Sequence, residues 1–465
     1  METLTNVTFS EIKVGDKATV TRQLSGNEVE ALALVGGDVD AFQIANGEKP
    51  HLSKVQTEAV GVEALLSGLL QRKLPGPGTT IAAQDLQFEG SIQAGDKIVA
   101  TVTARQKRPK GNLVVFDCSV RSNGNMLANG TVTVRAPEKR IQYTDFATPQ
   151  VILRRTDKYG KLLRKCEPLG PVKCAVAHPC DPDSLRGPIE AAKLGLIDPV
   201  LVGPEAKIRA VAEAEGLDLS PFRIVSTEHS HASASKAVEL VRAGEVEALM
   251  KGSLHTDALM SAVVSSATGL RTSRRISHVF VMDVPTHPTA FIITDAAINI
   301  APGLEDKMHI TQNAIDLARV LGVAKPKVAI LSAVETINPK IPSTLDAAAL
   351  CKMADRGQIT GGILDGPLAF DNAISEIAAR TKKITSPVAG KADIFLVPDL
   401  EAGNMLAKQL QYLAGADAAG LVLGARVPIV LTSRADNVRA RLASIAVMKL
   451  VAHAKRARDA AEAGE

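Results

Sequence analysis

From Val172 to the C-terminus the chain alternates short apolar runs with longer segments of helical period, and this alternation restricts the fold more than any other feature. The runs fall at Val172–Ala177, Pro199–Val202, Phe222–Val225, Glu247–Met250, Ile276–Val284, Ala290–Thr294, Lys327–Leu331, Gly361–Leu364, Asp393–Val397, Gly420–Leu423 and Pro428–Leu431. Unbroken apolar runs suit strands covered on both faces, and helices between them make βαβ units. An α/β domain with a mainly parallel sheet is predicted. At Ile276–Thr294 two strands follow one another directly, which predicts a hairpin or a subdomain insertion.

Ligands bind at the carboxyl ends of strands in such sheets. Polar residues collect at several of these ends: Lys251, Gly252, Ser253, His255 and Thr256; Asp283; Asp295 and Asn299; Asp365; Asn404; and Ser433, Arg434 and Asp436. Each group alone reads as a turn or a helix cap. Together they predict one cleft built from many strand ends. Lys251 with the amides of Gly252 and Ser253 suits an anion-binding nest at a helix start. His255 reads equally as a phosphate ligand or as a structural histidine. Asp283, Asp295 and Asp365 read as scaffold or substrate-orienting residues.

The first 140 residues have a different grammar. A candidate strand at Ala18–Leu24 and a short helix at Glu28–Leu34 precede a long helical pattern, Val55–Leu70. Strand-like runs follow at Thr79–Glu89, Lys97–Lys107, Asn112–Arg121 and Met126–Arg135. One long helix followed by antiparallel strands predicts a sheet around that helix, an α+β domain over 1–140. A basic connecting segment, 141–168, then leads to the α/β domain, 169–465.

Composition excludes several classes. At 465 residues two or three domains are expected, and 46% hydrophobic with 22% charged residues is ordinary for a globular protein. Aromatic residues make up 3% with no Trp, which argues against stacking platforms for nucleic acid. No window of about 18 uncharged apolar residues indicates a membrane span. Five Cys without a CxxC pair favour free thiols, and with no signal-peptide pattern a cytoplasmic location is expected. No GxGxxG follows the first strand of the second domain and no GxxxxGK[ST] occurs, so nicotinamide- and ATP-linked readings lose support. His229 and His231 stand before a helix pattern without further ligands nearby, a helix start rather than a zinc site. No metal is expected.

Two resemblances sharpen this reading. LLSGLLQRKLPGPGTTI, LQFEGSIQAGDKIVATVTA and NGTVTV resemble the MaoC-like (R)-specific enoyl-CoA hydratase family, whose fold is the hotdog. The resemblance implies an Asp, matched by Asp38, and a His five residues on, where Gln43 stands. Gln cannot exchange a proton at neutral pH, as general acid–base work requires. The domain then either hydrates enoyl-CoA at Asp38, with His51 as a substitute, or serves acyl-CoA binding or dimerisation. KGSLHTD, MDVP, TDAAINI, VAILSAVETINPKIPSTLDAA, ILDGPLAFDNAI, SPVAGKADIFLVPDLEAGN and VLTSRAD resemble the phosphate acetyl/butyryltransferase family. That resemblance implies exchange of an acyl group between coenzyme A and inorganic phosphate, giving acyl phosphate, with no tightly bound cofactor. Ser433 and Arg434 would steady the oxyanion and a carboxylate would deprotonate the thiol, Asp436 or, by the alternative alignment, the position of Asn437. Met260 stands where the family places a substrate-binding Arg. A homodimer or larger homo-oligomer is implied. A transferase with a tethered hotdog domain is the favoured reading; a two-activity enzyme and a non-catalytic acyl-CoA sensor are the rivals.

Overall fold

The computed structural model describes residues 3–36, 56–57, 59–144, 158–432 and 436–462. Asp38, Gln43, His51, Ser433 and Arg434 lie outside the described residues. The chain divides into two compact units, Met1–Leu153 and Arg154–Glu465. Among the described residues no helix is long and apolar enough to cross a membrane.

In the first unit the strands Lys17–Gln23, Lys97–Arg108, Leu113–Ser122, Asn125–Arg135 and Thr80–Phe88 form an antiparallel sheet in that order. Ile98, Ala100, Val102 and Ala104 alternate inward along one strand, the period that a sheet with one covered face imposes. They share a core with Val62, Leu65, Leu66, Leu69 and Leu70 on the helix Ala59–Arg72. A long helix packed against an antiparallel sheet is the hotdog arrangement.

The segment expected as a connection is partly structured. Gln142–Tyr143 pairs with Leu4–Thr5, and Lys158–Cys166 is a helix of the second unit. Tyr159, Leu162, Leu163 and Cys166 recur at helical spacing and pack on that unit's core, a pattern hidden in sequence among the basic residues around them.

The second unit is built on one eleven-stranded sheet. Its order is Arg223–Ser226, Ile197–Gly203, Val172–Ala177, Ala248–Lys251, Ile429–Val430, Asp417–Leu423, Ser277–Asp283, Phe291–Thr294, Ile394–Leu396, Lys327–Leu331 and Ile363–Leu368. The first five run parallel to one another. The last four are also mutually parallel. Three antiparallel pairings across the centre reverse the direction between the halves. The expected directly connected strands are the central hairpin Ser277–Asp283 and Phe291–Thr294.

The two faces of this sheet are covered differently. On one, a single core runs across both halves, from Val176 and Met250 through Leu421 and Val279 to Ile394 and Ile330. The C-terminal helix Val438–Glu462 covers it with Ile445, Ala446, Val447 and Met448. On the other face the core is split. Helices Ser230–Arg242 and Thr256–Val264 cover the first half, whereas Leu400–Leu413 covers the second. Between these two cores, among the described residues, the central strands have no helix over them.

Candidate active site

That gap is a cleft of about 420 Å³. Its floor is the central strand pair, presenting His278, Phe280 and Ala418. One wall comes from Thr256, at the start of a helix, and from Leu431, Thr432, Asp436 and Asn437, where the last strand gives way to the C-terminal helix. The facing wall is Ala297 with Asn404, Lys408 and Tyr412 of the helix Leu400–Leu413.

The wall at Thr432 and Asp436 is braced from behind. Arg441, buried in the C-terminal helix, donates from Nη1 to Thr432 Oγ1 at 3.0 Å and from Nε to the Asp436 carbonyl at 3.2 Å. Asn437 accepts the Ala440 amide at 2.8 Å, so Asn437 is the helix cap and its side chain is committed there. Asp436 is therefore the carboxylate that this wall presents to the cleft. Arg441 escaped the sequence reading because a helical Arg ordinarily reads as solvated surface.

Other expected site residues fall elsewhere, and strand direction is the reason. Because the two halves run oppositely, their carboxyl ends lie on opposite edges of the sheet. Asp295 is buried and accepts the amides of Ala297 at 3.0 Å, Ile298 at 3.0 Å and Asn299 at 3.2 Å. Asn299 Nδ2 donates to the same carboxylate at 2.6 Å and to the Ile276 carbonyl at 2.9 Å. Burial pushes the Asp295 carboxyl above its ordinary range despite these donors. Both residues hold the loop that carries Ala297, to which Asn404 is tied through the Ala296 carbonyl at 3.2 Å. Asp283 points to the opposite face from His278 and Phe280 and pairs with Lys158 at 2.8 Å. Asp365 lies on the outermost strand and accepts the Gly366 amide at 2.9 Å.

The anion nest expected at Gly252 and Ser253 is not formed. Their amides donate to the carbonyls of Ala177 and His178 at 2.8 and 2.9 Å, joining the ends of neighbouring strands, and Ser253 Oγ donates to the His178 carbonyl at 2.7 Å. Lys251 is buried beside them, with Nζ 3.4 Å from the Gly252 carbonyl. His255 occupies the cap position of its helix, is exposed, and makes no capping bond. Met260 is buried in the core. Cys180 keeps its proton, since burial pushes the thiol up to about 11. His229 caps its helix, accepting the Ala232 amide at 3.2 Å. Among the described residues no group of three or more His, Cys, Asp or Glu is placed to hold a metal ion.

The comparisons follow from this architecture. The sequence pattern described as "Phosphate acetyl/butaryl transferase" matches residues 230–449. A phosphate acetyltransferase of Rhizobium meliloti is 66% identical over 300 residues, 64% of this chain and 95% of that protein. This chain belongs to the phosphate acetyl/butyryltransferase family. A phosphate butyryltransferase of Clostridium acetobutylicum is 42% identical over 294 residues, covering 63% of this chain and 98% of that one. The crystal structure of a branched-chain phosphotransacylase from Enterococcus faecalis V583 superposes with a TM-score of 0.53 at 30% identity, over 60% of this chain and 99% of that chain.

His278 was missed in sequence, where a histidine facing the same way as Phe280 in a mostly apolar strand was the available signal. In the family's cleft it has an acid-dependent consequence for stability. Burial pushes its imidazole down to about 3, from an ordinary value of 6.5. Below pH 6.5 the unfolded chain takes up a proton that the folded one refuses. The contribution is thus present above 6.5 and lost as pH falls, by about 1.4 kcal/mol per pH unit. Urea midpoints at pH 7 and pH 5 should show wild type losing roughly 2 kcal/mol more than His278→Phe. Equal losses would mean that the ring is reached by water.

Proposed function

We propose that the second unit transfers a short acyl group between coenzyme A and inorganic phosphate, in the cleft between the two halves of its sheet. The observation that carries this reading is the placement of Thr432 and Asp436, which flank Ser433 and Arg434, on the wall of that cleft. In the direction of acyl phosphate synthesis, a phosphate oxygen attacks the thioester carbon and the C–O bond forms. The tetrahedral oxyanion is steadied by the Ser433 hydroxyl and the Arg434 guanidinium, and the C–S bond then breaks. Asp436 exchanges the thiol proton, taking it from coenzyme A in the reverse direction. The planar fork of Arg suits both phosphate and oxyanion. Thr256 and Asn404 orient the substrate from the two walls.

For the first unit we propose acyl-CoA binding or assembly without hydration, because Gln43 stands where a titrating residue is required. Full-length protein supplied with acetyl-CoA or butyryl-CoA and phosphate should release free coenzyme A and acyl phosphate. The same protein should leave crotonyl-CoA unhydrated. Absence of phosphate-dependent thiol release with every acyl chain tested would leave the sensor reading in place of the enzyme. Hydration abolished by Asp38→Ala would establish a second activity.

A further inference from the structure

The floor of the cleft holds a polar group that the protein itself does not use. His278 is 1% exposed, and its Nδ1 is buried without a hydrogen-bond partner. An unsatisfied buried polar atom is costly, and where one persists in a site it points to a ligand. The ring stands edge-on to Phe280 with centroids 4.4 Å apart, on the same face of the same strand. Across the neighbouring strand lies Gly420, where a Cβ would come within 3.2 Å of His278 Nε2. Gly420 thus sets no side chain of its own against the Nε2 edge of the ring.

Resting on the transferase reading, we infer that His278 is a substrate-contacting specificity residue: its neutral imidazole hydrogen-bonds the carbonyl oxygen of the acyl group, whose chain lies against Phe280. The walls decide between the two substrates. Around the ring the described residues of the cleft are Phe280, Ala418 and Leu431, and the lysine among them, Lys408, belongs to the facing wall. A phosphate dianion against Phe280, Ala418 and Leu431 would lose its water without gaining a countercharge from them. A neutral thioester carbonyl needs only one donor and tolerates apolar neighbours. With Nδ1 unpartnered, no protein group bonded there fixes the tautomer, so the proton is available at the nitrogen that meets the carbonyl.

The test compares wild type, His278→Phe and His278→Gln as full-length proteins. Phe keeps a ring and removes both nitrogens; Gln restores one donor. For His278→Phe, kcat/KM for acetyl-CoA should fall by about 10- to 50-fold, the loss of one hydrogen bond to a buried group. The KM for phosphate should stay within about twofold. The thermal midpoint should hold or rise, because an unpaired buried polar group has been replaced by an apolar one. His278→Gln should recover to within about fivefold of wild type. Calorimetry should show that wild type binds acetyl-CoA more tightly than coenzyme A and that His278→Phe loses this preference. Wild-type kinetics in His278→Phe, a raised phosphate KM, or a lost rate accompanied by a fallen midpoint would each overturn the inference. If wild type turns nothing over, the transferase reading fails, and the calorimetric preference alone then judges His278.

Discussion

Arg434→Ala is expected to lower kcat for acyl transfer by about 10²- to 10³-fold, the effect of removing a preorganised donor from a developing oxyanion. The magnitude follows from where the residue stands in sequence. Two positions before it, Thr432 lines the cleft, and two positions after it so does Asp436. Arg441 ties both Thr432 and Asp436 to the C-terminal helix. Ser433→Ala should fall in the same direction, by about 10²-fold. Arg434→Lys should recover only part of the rate, because an ammonium cannot bind two oxygens in a plane. The measurement is kcat at saturating acetyl-CoA and phosphate, beside a thermal melt expected to match wild type. Wild-type turnover in either alanine variant would remove the pair from the mechanism.

Gly420→Val is expected to remove both stability and activity. Gly420 sits in the central strand Asp417–Leu423, opposite Phe280. A Cβ there would lie 2.6 Å from the Leu431 carbonyl oxygen, 3.2 Å from His278 Nε2 and 3.3 Å from Phe280 Cε1. The first of these is backbone and cannot rotate away. Relief requires the last strand to move, and Leu431 leads directly into Thr432 and the wall of the cleft. Overpacking of this kind costs about 1–3 kcal/mol, and the upper end applies where backbone must shift. Urea unfolding should show a loss of about 3 kcal/mol, and acyl transfer should fall below about a tenth of wild type. Gly420→Ala, with a single methyl, should fall between. A valine variant as stable and active as wild type would mean that the strands part without cost.

The positions of the strands in the second unit were legible because doubly covered strands read as apolar runs, and Val172–Ala177 and Lys327–Leu331 appear in the structure with the bounds the pattern predicts. Direction was not legible. Alternation is the same whichever way a strand runs, so nothing in Phe291–Thr294 or Ile394–Leu396 announces that they oppose Ala248–Lys251. Polar clusters after these strands therefore looked equivalent although they occupy different edges. Thr256, Asn404 and Asp436 reach the cleft, whereas Asp283 faces the other side of the sheet and Asp295 turns inward to its own loop. Asp436 and Asn437 could not be told apart by alignment; both line the cleft, and the Ala440 amide engages Asn437 Oδ1 as the helix cap. Roles played by long-range contact, as with Arg441 and His278, leave little local trace.

The seam of the sheet is closed by the last strands in the chain. Ile429–Val430 enters beside Ala248–Lys251, and Asp417–Leu423 beside Ser277–Asp283. A nascent chain still lacking them exposes two unpaired edges, and such edges invite pairing with foreign strands. A chain halted before Asp417–Leu423 and Ile429–Val430 are made thus holds two halves of a sheet with nothing to join them, and is the form most liable to aggregate.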